Sequence, residues 1–136
     1  KLRRRTLDLP LLNSWVETAT NIDNLKGKVK IALVGKYTKG TDTYHSVVKA
    51  LLHAAVTTKQ KLEISWIDST HLENWDTTGE EVVGQQTLSS LQRDAWKRLE
   101  EADGVVVPGG FGQRALKGMI NAIKYARTTK KPFLGV

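Results

Sequence analysis

The stretch Gly104-Val-Val-Val-Pro-Gly-Gly-Phe-Gly-Gln-Arg114 most constrains what this chain can fold into. Val105, Val106 and Val107 form a short β-branched, fully apolar run, the pattern of a strand buried on both faces. Pro108 cannot donate to a sheet ladder, and Gly109, Gly110 and Gly112 supply backbone freedom for a sharp turn. From Arg114 to Arg127, Ala115, Leu116, Met119, Ile120, Ile123 and Ala126 recur at helical spacing, which predicts a helix. A glycine loop between strand and helix sits at the carboxyl end of a strand. In an open parallel sheet ligands bind there, and free backbone N–H groups there can hold an anion. The bland reading is a tight turn with no chemistry. A second reading comes from Gly110-x-Gly112-x-x-Ala115, which fits a dinucleotide fingerprint. That fingerprint wants an acidic residue about twenty positions on, where this chain has Pro132 to Val136.

At 136 residues the chain is about one domain's worth. No apolar run is long enough to cross a bilayer, and no signal-peptide pattern opens the sequence. Of the net charge of +7, Lys1, Arg3, Arg4 and Arg5 account for four units, so the rest of the chain is ordinarily charged. Trp15, Trp66, Trp75 and Trp96 are scattered rather than interleaved with a basic stripe, which argues against a nucleic-acid surface. Cysteine is absent, which excludes disulfides and thiolate metal sites within these residues. His45, His53 and His71 lack metal-ligand spacing, so no metal is expected.

Along the chain, Leu12, Trp15, Val16, Ala19 and Ile22 mark an amphipathic helix that ends by Gly27 and needs something to lie against. Val29 to Val34 reads as the first strand, followed by the loop Gly35-Lys36-Tyr37-Thr38-Lys39-Gly40. A phosphate-loop reading of that segment fails, because Lys30 stands where the first glycine belongs and Tyr37 where a Ser or Thr belongs. Lys36 still lies at a strand's carboxyl end, on the same rim as the glycine loop if the strands are parallel. Asp42 or Thr43 is expected to cap a helix through Val56 whose apolar face runs from Tyr44 to Ala55. Leu62 to Ile67 is a second strand, and His71 to Gln86 a long polar loop. Glu80 and Glu81 are adjacent in that loop and read as solvated rather than as an acid/base pair. Leu88, Leu91, Ala95, Trp96 and Leu99 mark a helix to about Ala102. Lys131 to Val136 begins a last short strand, and an uncovered final strand predicts further chain beyond it.

Ile31-Ala32-Leu33-Val34-Gly35-Lys36-Tyr37-Thr38, Asp42-x-Tyr44-x-Ser46-Val47, Val107-Pro108-Gly109-Gly110-Phe111-Gly112-x-Arg114 and Lys131-Pro132-Phe133-Leu134-Gly135-Val136 occur together. In these the chain resembles the class I (triad) glutamine amidotransferase domain of the CTP synthase family. The resemblance implies a flavodoxin-like open parallel sheet with helices on both faces, of which this chain is the amino-terminal half. Residues 1–28 would then be a linker helix from a synthase domain, and 29–136 the amidotransferase part. It further implies a cytoplasmic enzyme that hydrolyses L-glutamine and passes ammonia to a synthase domain of the same protein, which uses ATP and magnesium to aminate UTP. By the same resemblance, GTP activates the enzyme and the intact protein is a homotetramer, with no nucleic-acid or membrane partner.

The resemblance assigns backbone N–H groups of Gly109 and Gly110 to an oxyanion hole and glutamine site. The residues agree, since only side-chain-free positions let the backbone approach a tetrahedral carbon closely. It implies Phe111 stacking on the GTP base, Arg114 contacting ribose or phosphate, and Lys36 coupling two domains. The nucleophilic cysteine would follow Val136 directly, and a His-Glu pair would lie further on. The family reads Arg-Gly-x-Glu-Gly where this chain reads Arg114-Ala115-Leu116-Lys117-Gly118. The alternatives are a non-catalytic nucleotide-binding module and a docking domain led by the first helix. Neither explains the Gly-Lys-Tyr turn and the Pro-Gly-Gly-Phe-Gly loop jointly.

Overall fold

The computed structural model describes residues 9–38, 40, 42–73 and 89–136. In chain order these form α1 (Leu9–Asp23), β1 (Gly27–Gly35), α2 (His45–Thr57) and β2 (Gln60–Asp68). A short 3-10 turn (Ser69–Leu72), α3 (Ser90–Glu100), β3 (Gly104–Val107), α4 (Leu116–Thr128) and β4 (Phe133–Gly135) follow. The described strands make one parallel sheet in the order β2-β1-β3-β4. Parallel neighbours need long crossovers, and helices supply them. This is the expected flavodoxin-like arrangement, in which the strand order reverses between β1 and β3.

The continuous apolar runs became the central strands for the reason that singled them out. Ala32, Leu33 and Val34 are fully buried, and Val105 to Val107 nearly so. Pairing sets Ala32 beside Val105 and Leu33 beside Val106, so alternate residues feed two cores. Ala32, Val34, Val105 and Val107 pack with Ala95, Trp96 and Leu99 of α3 and Met119, Ala122 and Ala126 of α4. On the other face Tyr44 lies against Trp66, with ring centroids 6.4 Å apart, and α2 packs over β2.

Several boundaries move for physical reasons. β1 starts at Gly27 and β2 spans Gln60–Asp68, because their pairing runs the full length from Gly27 beside Gln60 to Gly35 beside Asp68. Neither Asp42 nor Thr43 caps α2. Its N-cap is Tyr44, without a side-chain cap bond, and its ring and hydroxyl are committed to Trp66 and Lys36. α3 stops at Glu100, where Lys131 Nζ donates to the Glu100 carbonyl (2.6 Å) and to that of Ala102. At its start Ser89 and Gln92 form a reciprocal capping box, a Ser-x-x-Gln signature that periodicity alone does not register.

The helix expected from Arg114 starts at Leu116. Ala115 is its N-cap, with φ +59°. Of the expected polar loop, His71 and Leu72 belong to the 3-10 turn, while positions 74–88, including Glu80 and Glu81, lie outside the described residues. α1 forms as expected and meets α2, but Leu12, Trp15, Val16 and Ile22 are exposed. No helix among the described residues is long and apolar enough to cross a membrane.

Candidate active site

The loops after β1 and β3 emerge side by side at the point where strand order reverses. The first, Gly35 to Thr38, turns Lys36 inward, leaving it only 3% exposed. Its Nζ donates to the carbonyls of Gly110 (3.4 Å), Phe111 (3.3 Å) and Gly112. Its backbone N–H donates to the Tyr44 hydroxyl at 3.1 Å. Gly35 is required beside it, because a β-carbon there would sit 2.6 Å from that hydroxyl.

The second loop answers the first. The Arg114 guanidinium donates to the Lys36 carbonyl at 2.7 Å and lies over the Tyr37 ring, 5.5 Å from its centroid. A side chain from each loop therefore holds the backbone of the other. Gly112 bends the second loop through φ +81°, a conformation suited to glycine.

The structure brings all the expected site residues to this one rim. Gly109 and Gly110 are exposed, with backbone open to a cleft of about 460 Å³ that Tyr37, Tyr44, Val47 and Pro108 also line. Phe111 stands at its edge, 94% exposed. Lys36 and Arg114 face a neighbouring cleft of about 390 Å³ with Asp68, Thr70 and His71. There the Asp68 carboxylate accepts from the Thr70 N–H (3.0 Å) and hydroxyl (2.8 Å). β4 delivers a further neighbour. The Val136 N–H donates to the Val107 carbonyl at 3.1 Å, and a β-carbon on Gly109 would lie 3.4 Å from the Val136 carbonyl oxygen. The end of β4 is thus beside the glycine loop.

Among the described residues no three His, Cys, Asp or Glu side chains group as metal ligands. The resolved titration shifts lie away from the site. Glu101 is held below the usual carboxylate range by its hydrogen bond to Lys30 and that residue's charge, and burial pushes Tyr125 upward. Sequence reasoning missed the capture of the Lys36 ammonium by loop carbonyls. The Gly-Lys-Tyr turn placed the lysine on the rim without indicating which groups it would meet.

The model of the family described as glutamine amidotransferase class-I matches residues 40–136. Human CTP synthase 1 is 49% identical over 139 residues, covering 97% of this chain and 22% of that protein. CTP synthase 1-B of Xenopus laevis is 47% identical over 140 residues, covering 98% and 22%. The chain therefore spans about a fifth of the length of these relatives. Among solved structures, the glutaminase domain of Trypanosoma brucei CTPS with bound acivicin superposes with a TM-score of 0.61 at 34% identity, covering 79% of this chain and 36% of that one.

Proposed function

Since the chain belongs to the class-I glutamine amidotransferase family, we propose that it is the oxyanion-loop half of the glutaminase of a CTP synthase. In this reading the intact protein hydrolyses L-glutamine and delivers ammonia to a synthase domain that aminates UTP with ATP and magnesium. The observation that carries the reading is the placement of Val136 against Gly109. A nucleophilic cysteine following Val136 would emerge beside the backbone of Gly109 and Gly110, where N–H donors can meet a developing oxyanion.

The geometry suits that chemistry. A tetrahedral intermediate needs donors on a backbone it can approach, and Gly109 and Gly110 are exposed glycines lining an open cleft. Exposed Phe111 and the Arg114 guanidinium on the same rim support the reading that GTP activates the enzyme here, with Phe111 stacking on the base. Lys36, buried beneath the same rim, is the residue this reading gives to coupling with the synthase domain of the intact homotetramer.

The test is Gly110→Pro in the intact protein, which removes one backbone donor. Glutamine-driven CTP synthesis should fall by about 10²–10³-fold. Synthesis driven by free ammonia should be largely retained, because it bypasses this site. Equal loss of both activities would reject the assignment. Mass measurement after treatment with an electrophilic glutamine analogue should show one adduct, on the residue following Val136.

A further inference from the structure

The geometry points to Lys36 as a positioning residue for the oxyanion loop, holding the carbonyls of Gly110, Phe111 and Gly112 from behind so that the Gly110 backbone, whose N–H the glutaminase reading assigns to the oxyanion hole, stays in place. This rests on the glutaminase reading above.

A glycine-rich loop can present either side of each peptide plane, and the two sides have opposite electrostatic effects. An N–H stabilises a developing oxyanion, whereas a carbonyl oxygen turned the same way repels it. The described residues contain no cis peptide bond, so each carbonyl and the N–H that follows it point in opposite directions. The Lys36 ammonium gathers the carbonyls of Gly110, Phe111 and Gly112 on one side. The N–H groups of Phe111, Gly112 and Gln113 are thereby directed to the other, and the captured Gly110 carbonyl limits how far that residue, and with it the Gly110 N–H, can turn.

Two features make the hold firm. Lys36 is almost fully buried, so water competes weakly for its three donors, and charge-assisted bonds are about twice as strong as neutral ones. Its stem also backs onto the loop, since a β-carbon on Gly110 would lie 3.4 Å from Lys36 Cδ. The lysine is itself fixed at both backbone groups, by the Tyr44 hydroxyl and by Arg114. An ammonium with rotatable donors suits three successive carbonyls along a turn. The planar fork of arginine suits a carboxylate better.

Lys36→Met in the intact amidotransferase keeps the aliphatic stem and removes the ammonium. The kcat for glutamine hydrolysis should fall about 10- to 100-fold with KM for glutamine within about 2-fold, because donor aim matters most in the transition state. At the end of the loop, in a peptide covering residues 113–120, the Leu116 and Met119 N–H groups donate to the Gln113 and Ala115 carbonyls. Hydrogen exchange in that peptide should accelerate about 10-fold or more, while a peptide from β1 exchanges as before. An unchanged kcat would overturn the proposal, and so would unchanged exchange in the loop. Equal acceleration in loop and β1 would mark a merely structural lysine and overturn it too. If Lys36→Met does not fold, Lys36→Gln, a neutral polar side chain, carries the same two readouts. A wild-type protein that releases no glutamate from glutamine would reject the glutaminase reading instead, and the exchange measurement would still decide whether Lys36 holds the loop.

Discussion

Ala115 holds a left-handed backbone at φ +59° with its β-carbon buried. For a residue with a β-carbon that conformation costs roughly 1–2 kcal/mol relative to the right-handed region. Glycine there would relieve the strain but lose about 0.8 kcal/mol of methyl burial and a similar amount through a more flexible unfolded chain. Ala115→Gly should therefore change stability by less than ~1 kcal/mol. Ala115→Val should lose about 2–3 kcal/mol, since a β-branched side chain at positive φ must also fit a filled space. Urea unfolding of both variants checks this, and a tolerated valine would contradict the backbone argument. This explains how the chain accepts alanine at a backbone position that suits glycine. Helix propensity does not, because Ala115 lies outside the helix. Lys117 is exposed on α4. Neither role was legible in the sequence. A positive φ on alanine and a buried ammonium are set by tertiary neighbours, and local spacing carries no record of them.

At the scale of elements, α4 crosses the Ser69–Leu72 turn so closely that a β-carbon on Gly118 would sit 1.7 Å from the Ser69 carbonyl oxygen. The Asn121 amide donates to the Leu72 carbonyl at 2.7 Å one turn later. Gly118→Ala must push helix and turn apart and should cost about 3 kcal/mol, the upper end for overpacking, despite alanine's better helix propensity. A thermal melt showing stabilisation would refute the close approach. Strands were legible because continuous β-branched runs such as Val105 to Val107 have few other uses. Helix existence was legible from periodicity. Helix starts were not, because Tyr44 and Ala115 take cap positions for reasons of packing rather than side-chain capping chemistry.

Over the whole molecule, β4 forms one edge of the sheet, and Phe133, Leu134 and Val136 are 42%, 54% and 74% exposed. An apolar edge strand is a template for another strand. A polypeptide of these 136 residues alone should associate with its own copies as concentration rises. Sedimentation velocity across a hundredfold dilution tests this, and a monomer throughout would mean the edge is blunter than its exposure indicates. A parallel α/β architecture could be argued from the residues, and the rim location of both loops followed from it. The strand order could not, since alternation of elements leaves open which strands are neighbours. That order has a kinetic consequence. Lys36 meets carbonyls 74 to 76 positions further along the chain. At a synthesis rate of about 5–20 residues per second, a ribosome needs roughly 4–15 s to supply them. Over the later part of that interval, once Asp68 has been added, β1 and β2 can pair while the lysine waits in solvent, so the loop is locked late in biosynthesis.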